Sequence, residues 1–362
     1  MSLDTLNTSI FSQLSQHEHQ NLVFCNDKYT GLKAIIAIHD TTLGPAIGGT
    51  RLHTYRNETE AIEDCLRLSK GMTYKAAITG INLGGGNAVI IDENPSLKSE
   101  ALLRRFGQFV HRLNGTFLAS LDMGTTTRDM ETIRMETPHV VGLPKALGGS
   151  GDSTPFTSQT VYYGIKAGLK ELFGNDGLAG RTILVQGAGQ VGESLIALLR
   201  KENAKVFVTD IHTERMYQVA NKYGAEPISD SDPYGYPVDV YAPCALGGTL
   251  NDYTIARLKC KIIAGSANNQ LRDEATHGQM LLEKGILYVP DYLINAGGLI
   301  SCYSELAGYS ASRTAQLAEN IYGATRSVLQ KSKAEHISSH VAANKIAEDR
   351  IASIRNIKNS SL

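Results

Sequence analysis

The 362-residue sequence has no excess of charge: 35 Lys and Arg stand against 36 Asp and Glu, a formal net of −1. That removes the electrostatic reason to expect nucleic acid or an anionic membrane as partner, and leaves a small molecule as the default. No stretch approaches the roughly 18 apolar residues of a membrane span. The first twenty residues, MSLDTLNTSIFSQLSQHEHQ, lack the apolar core of a secretory leader, so export is not expected. Cysteine is scarce and unpatterned: Cys25, Cys65, Cys244, Cys260 and Cys302 are odd in number and never form a CxxC. They read as reduced, packed thiols in a cytoplasm. The ten histidines include no HExxH pair, which speaks against a metal hydrolase and predicts no metal site. No internal repeat or low-complexity tract is present. With 42% hydrophobic and 20% charged residues, what remains is a globular chain long enough for two domains.

Periodicity supplies the elements. GLKAIIAIHDTT runs apolar over strand length, and TEAIEDCLRLSKGMTYKAA repeats apolar residues at helical spacing. The β-branched run NAVIIDE, the amphipathic KSEALLRRFGQFVHRL and the strand-like GTFLASLDMG continue the alternation, which predicts an α/β domain over the first 140 or so residues. LGGSGDSTPFTSQ cannot hold a regular element, so Gly148 to Pro155 is the expected hinge, and TPFTSQTVYYGIKAGLKELFG restarts as a long helix. Beyond it TILVQG, KVFVTD, VDVYAPC, KIIAGSA and GILYVPDYL are expected strands separated by helices, the order of a doubly wound parallel sheet. AANKIAEDRIASI near the end is apolar at helical intervals.

ILVQGAGQVGESLIALL places Gly187, Gly189 and Gly192 in GxGxxG order between an apolar strand and an amphipathic helix. In that context the glycines serve a tight turn, close approach of pyrophosphate, and helix-to-strand packing. Asp210 closes the next strand, 210 − 187 = 23 residues on, where an acid takes the ribose hydroxyls. A carboxylate there repels a 2′-phosphate, and no arginine follows at once in DIHTE, so NAD is expected rather than NADP.

A nicotinamide cofactor needs a second reactant. In the first domain GPAIGGTR, KGMTYKAA, LGGGN and SLDMGT read as turns where backbone can approach a small ligand. Lys75 can pair with a substrate carboxylate or serve as a solvated helix-end cation. Asp122 can transfer protons or accept turn N–H bonds.

Taken together, GPAIGGTR, LRLSKGMTYKAA, LGGG, GSGD with PFTS, QGAGQVG, VTDI, YAPCALGGTLND, IIAGSANNQL and PDYLINAGGLI, in order from about Asn21 to about Ile354, resemble the glutamate/leucine/phenylalanine/valine dehydrogenase family, in its leucine dehydrogenase branch. The resemblance implies reversible NAD-dependent oxidative deamination of an L-amino acid to its 2-oxo acid and ammonia. It also implies an amino-terminal α/β catalytic and oligomerisation domain over 1–150, joined by a returning C-terminal helix at about 335–362. A Rossmann NAD-binding domain over 151–334 follows, with the active-site cleft between them, and relatives form homo-oligomers. By motif, Lys75 binds the substrate carboxylate with the backbone of Gly48 and Gly49, and Asp122 is the proton-transfer acid. Thr157 and Asn269 lie near the nicotinamide and Asn295 near the reacting centre, with Gln190, Val191, Cys244 and Ala245 joining the glycines and Asp210 around the dinucleotide. The side-chain pocket is Ile47, Met72, Ser120, Leu299 and Cys302. It contains no cation for a second carboxylate, which disfavours glutamate and favours leucine, isoleucine or valine. Phenylalanine and tryptophan remain alternatives, because apolar pockets discriminate by only about 1–3 kcal/mol.

The departure is Asn87, where the family has a second lysine. A buried lysine beside a cation has a lowered pKa and can exchange a proton with water while polarising a carbonyl. Asparagine can donate a hydrogen bond but cannot cycle a proton. The expectation is binding of NAD and an amino or oxo acid with impaired turnover, the alternative being an inactive binding homologue or a trapped variant. Leu121, where relatives often carry an acid or glutamine, is expected to point away from Asp122 because strand neighbours face opposite sides.

Overall fold

The computed structural model describes residues 9–92, 98–228 and 232–359, divided between two units. The first draws on Met1–Gly151, Cys302–Tyr309 and Glu348–Leu362, the second on Asp152–Ser301 and Ser310–Ala347. In the first, chain order runs α1 (Ile10–His17), β1 (Asn21–Asp27), β2 (Leu32–Asp40), β3 (Ala46–His53), α2 (Glu58–Ile78), β4 (Gly84–Ile91), α3 (Glu100–Arg112), β5 (Phe117–Leu121) and α4 (Thr127–Arg134). The sheet order is β1-β2-β4-β3-β5. β2 is antiparallel to β1 and β4, while β3 is parallel to β4 and β5.

Both faces of this sheet are covered, which is why its strands read as near-continuous apolar runs. Ile36, Ile38, Ala88, Ile90 and Phe117 meet Phe106 of α3 and Ile133 of α4 on one face. Ile35, Ala37 and Val89 meet Ala61, Cys65 and Leu66 of α2 on the other. Helix α2 starts where Asn57 accepts the Glu60 N–H, with Glu58 and Glu60 in its first turn, both favourable to the positive helix end. It ends at Thr79 before Gly80, whose φ of +78° takes the chain out of the helix.

The LGGG run is not a turn. Gly84, Gly85 and Gly86 are the first three residues of β4, none with positive φ. What they supply is clearance: a Cβ on Gly84 would sit 2.1 Å from Asp40 O, on Gly85 2.1 Å from Thr73 N, and on Gly86 2.8 Å from the Phe117 ring. Gly48 and Gly49 are likewise inside β3, and KGMTYKAA lies within α2, so Lys75 stands in its last turn.

The second unit opens with α5 (Thr154–Phe173) and continues as β6 (Thr182–Gln186), α6 (Gln190–Lys201), β7 (Lys205–Thr209), α7 (Thr213–Tyr223), β8 (Glu226–Pro227), β9 (Val240–Pro243), α8 (Asp252–Arg257), β10 (Ile262–Ile263), α9 (Glu274–Glu283) and β11 (Leu287–Tyr288). All pairs are parallel and the order, read from the far edge, is β8-β7-β6-β9-β10-β11. That is the 3-2-1-4-5-6 order of a Rossmann sheet, with its switch point between β6 and β9. The expected strand GILYVPDYL stops at Tyr288, and α10 (Asp291–Ile294) follows. Pro290 precedes the helix, and the Asp291 carboxylate accepts the N–H groups of Tyr292 at 2.7 Å and Gln270 at 2.8 Å, so the chain turns rather than extends. α11 (Gly297–Glu305), α12 (Ala311–Glu335) and α13 (Ser339–Asn359) complete the chain. The last residues of α11 and of α13 belong to the first unit.

Candidate functional site

In the second unit the three dinucleotide glycines meet three different constraints. Gly187, directly after β6, has φ +105°, and a Cβ there would be 2.8 Å from the Cys244 carbonyl oxygen at the end of β9. Gly192, in the first turn of α6, lies so close to β6 that a Cβ would meet Gly187 O at 1.9 Å. Gly189 caps α6 with φ −71°, and nothing stands within 4 Å of where its Cβ would be. Neither backbone strain nor crowding asks for glycine at 189. The space it leaves at the amino end of α6, beside Gln190 and Val191, is a cradle for an anionic group. Asp210, after β7, binds this turn directly: its Oδ2 accepts the Ala188 N–H at 2.7 Å and its Oδ1 the His212 N–H at 2.7 Å. The residues present fit a nicotinamide dinucleotide.

The other expected cofactor and reacting-centre residues of this unit lie on its loops, except Thr157, which stands in the first turn of α5. Cys244 and Ala245 follow β9, and the Cys244 thiol is pushed up by burial, so it is no nucleophile. Asn269 is held in the left-handed region at φ +50°, its carbonyl accepting the Gly248 N–H at 2.7 Å. Asn295 donates from Nδ2 to Asn268 Oδ1 at 2.6 Å. The backbone of Gly297 runs against Thr157, whose N would lie 2.3 Å from a Cβ, and Leu299 is buried on α11.

In the first unit, register places the expected substrate residues on one face of the sheet. Ile47 stands opposite Gly85 and Leu118, and Gly49 opposite Ser120. Alternation puts Ile47, Gly49, Asn87 and Ser120 on the α2 side, the side on which Gly85 meets Thr73 of α2. Met72 and Lys75, both half-buried, are i and i+3 on α2. Asp122 joins them just past β5, for a Cβ on Gly49 would lie 2.5 Å from the Asp122 Cβ. Gly48 is packed against β4, where a Cβ would be 1.8 Å from Gly86 O. Asn87 is buried, with Nδ2 donating to the Ala88 carbonyl at 3.2 Å and the Cys65 thiol donating to its carbonyl at 3.3 Å. Cys302 is half-buried, its thiol pushed up to about 12 by burial and by Glu305. Leu121 lies over Gly142, on the face away from Asp122.

Arg51 is the residue beside Asp122 that sequence reasoning passed over. Its Nε donates to Asp122 Oδ2 at 3.0 Å and its Nη1 to Asp64 Oδ2 at 2.8 Å. It closes GPAIGGTR two residues after Gly49, so strand periodicity was the available signal. Among the described residues no group of three or more His, Cys, Asp or Glu is placed to hold a metal, and no helix is long and apolar enough to cross a membrane.

Comparison with known proteins shows the family. A profile described as Glu/Leu/Phe/Val dehydrogenase, dimerisation domain, matches residues 19–139, and the Glutamate/Leucine/Phenylalanine/Valine dehydrogenase profile matches 208–358. The chain is 49% identical to a leucine dehydrogenase of Bacillus cereus, over 98% of this chain and 96% of that one. It is 47% identical to a phenylalanine dehydrogenase of Lysinibacillus sphaericus, over 95% and 91%. The crystal structure of L-tryptophan dehydrogenase from Nostoc punctiforme superposes with a TM-score of 0.88 at 43% identity, covering 96% of this chain and 100% of that one. The chain therefore belongs to the glutamate/leucine/phenylalanine/valine dehydrogenase family, NAD(P)-dependent oxidoreductases that act on the CH–NH2 group of an amino acid.

Proposed function

We propose that this protein catalyses the reversible, NAD-dependent oxidative deamination of a branched-chain L-amino acid of the leucine type, and that Asn87 limits its rate. One observation carries the reading: Ile47, Gly49, Asn87, Ser120 and Asp122 share one sheet face, small, apolar or uncharged polar residues beside one carboxylate, Asp122. Similarity to the Bacillus cereus leucine dehydrogenase supports the same substrate class.

Lys75 pairs with the substrate carboxylate, aided by the backbone of Gly48 and Gly49. Asp122 exchanges a proton with the substrate nitrogen through Oδ1, the oxygen to which no described residue bonds. Ile47, Met72, Ser120 and Cys302 receive the side chain. The turn of Gly187, Gly189, Gln190, Val191 and Gly192 holds pyrophosphate, Asp210 the ribose hydroxyls, and Cys244, Ala245, Thr157 and Asn269 the remainder of the dinucleotide, with Asn295 at the reacting centre. The hydride of the substrate's α-carbon would pass to NAD when it is bound. Asn87 offers the developing oxyanion one hydrogen bond and no charge.

Acid–base assistance is worth about 10²- to 10⁴-fold and one charge-stabilising donor about 10²- to 10³-fold. Asn87→Lys is therefore expected to raise the rate of NAD reduction with leucine by roughly 10²-fold or more, with NAD affinity unchanged. The assay runs leucine, isoleucine, valine, phenylalanine, tryptophan and glutamate with NAD and with NADP. An unchanged rate would sink the claim that residue 87 limits activity. Binding of NAD and amino acid without turnover in either chain would establish the second reading that Asn87 favours, a non-catalytic binding homologue. The same reading makes the protein a cytoplasmic homo-oligomer; the dimerisation-domain match supports the oligomer, and sedimentation as a monomer would overturn that part.

A further inference from the structure

Asp122 is fixed twice. Its backbone N–H donates to Thr125 Oγ1 at 3.0 Å, and Thr125 Oγ1 in turn donates to Thr50 O at 2.8 Å. The turn after β5 is thereby tied to β3 without any help from the carboxylate. What stays free is the rotation of the side chain, and there Arg51 acts: its Nε–H takes Oδ2. Among the described residues none bonds Oδ1. The guanidinium is itself held from behind by Asp64 of α2, whose Oδ2 also accepts the Tyr55 hydroxyl at 2.8 Å and whose Oδ1 accepts from Arg67 at 2.7 Å. The Arg51 side chain is only 18% exposed and that of Asp64 15%. Burial opposes the arginine's charge, yet Asp122 and Asp64 outweigh it and its pKa is raised, so it stays a cation wherever the protein is folded.

We infer that Arg51 is a positioning residue for the reaction: through Nε it sets the orientation of the Asp122 carboxylate and leaves Oδ1 presented to the substrate, while Asp64 and Tyr55 hold the guanidinium in that pose. The inference rests on the reading of Asp122 as the proton-transfer acid. A planar fork with two fixed donors can serve two carboxylates on different elements at once; a lysine ammonium, a point charge on a flexible stem, orients neither.

The test is a double-mutant cycle in the Asn87→Lys chain. Arg51→Gln, Asp122→Asn and the double variant are assayed for kcat and for KM of leucine and NAD, with circular dichroism to confirm folding. Arg51→Gln is expected to lower kcat tenfold or more with the KM for NAD unchanged, and Arg51→Lys, which keeps the charge and loses the fork, to restore little of that loss. In the Asp122→Asn background the same change is expected to cost less than about twofold, because the group it orients no longer transfers protons. Equal losses in both backgrounds would mean a structural ion pair and overturn the inference. Should Arg51→Gln not fold, Asp64→Asn, which releases the other side of the guanidinium, is expected to show a smaller loss with the same dependence on Asp122. If the parent chain turns over no amino acid, the dehydrogenase reading falls and this one with it; if the parent is active and the losses add, only this one falls.

Discussion

Gly189 and Gly192 sit three residues apart and are glycine for unrelated reasons. At 192 the constraint is internal, since a methyl group would enter the Gly187 carbonyl at 1.9 Å. At 189 the backbone is ordinary and the space is open, so the fold does not ask for glycine there, and on the proposed reading it serves the dinucleotide. Gly189→Ala is therefore expected to leave the thermal midpoint unchanged while weakening NAD at least tenfold by titration. Gly192→Ala is expected to lower stability by about 1–3 kcal/mol, the usual cost of overpacking. An unaltered NAD affinity in Gly189→Ala would refute the cradle. Asn87 belongs to the same scale: its Nδ2 gives one N–H to the neighbouring Ala88 carbonyl, and the second is a neutral amide donor that cannot cycle a proton near neutral pH.

At the scale of elements, α13 supplies what α2 cannot supply for itself. A helix leaves its last carbonyls without intrahelical partners. Arg350 of α13 donates to the carbonyls of Ala76, Ala77, Ile81 and Gly80 and to Asn82 Oδ1, at 2.7 to 3.2 Å. Among the described residues no carboxylate bonds that guanidinium, and burial lowers its pKa; the carbonyl end of the helix dipole is its counter-charge. Nearby, Arg355 bonds Asp40 at 2.6 Å and Glu348 accepts the Tyr74 hydroxyl at 2.8 Å. The turn that carries Lys75 and the entry to β4 are thus held by residues some 270 positions later. Arg350→Met is expected to destabilise the first unit by about 2–3 kcal/mol, with faster amide exchange confined to residues 79–86. Exchange that rises evenly over the unit, or not at all, would contradict this assignment.

At the scale of the molecule, two buried imidazoles govern how the fold responds to acid. His19 bonds the Leu66 carbonyl at 3.0 Å and the Ser69 hydroxyl at 2.9 Å, and His39 the Thr73 hydroxyl at 2.9 Å. Their rings meet edge to face at 4.7 Å. Burial pulls both down to about 4; a backbone bond to Leu66 resists this at His19, and mutual repulsion adds to it at His39. Since the unfolded chain titrates near the usual 6.5, it binds more protons than the folded one between these values. The contribution of this pair is expected to be full above pH 6.5 and to fall as pH drops toward 4, by up to roughly 3 kcal/mol per histidine. Urea unfolding at pH 7 and pH 5 reads this directly, and His19→Gln/His39→Gln is expected to flatten the dependence. An identical slope in the variant would assign the acid sensitivity elsewhere.

The dinucleotide turn, the two-unit plan and the amphipathic helices were legible because each signal is local: strand, glycine turn and helix of the β6–α6 motif are contiguous in the chain. The glycines of LGGG read as a turn because conformational freedom is the property of glycine that a local reading sees. Their task is clearance toward Asp40, Thr73 and Phe117, which belong to three other elements. Arg51 and Asp122 are 71 residues apart, and Glu305, which accepts the N–H groups of Gly142 and Ser150, is about 155 from the latter. By itself the sequence determined the class of fold, the cofactor motif and the family, since these reside in short-range pattern and residue identity. Only the tertiary structure decided which side chains share a face and which oxygen of Asp122 is left open, because strand register and packing bring those groups together across chain distances that no periodicity spans.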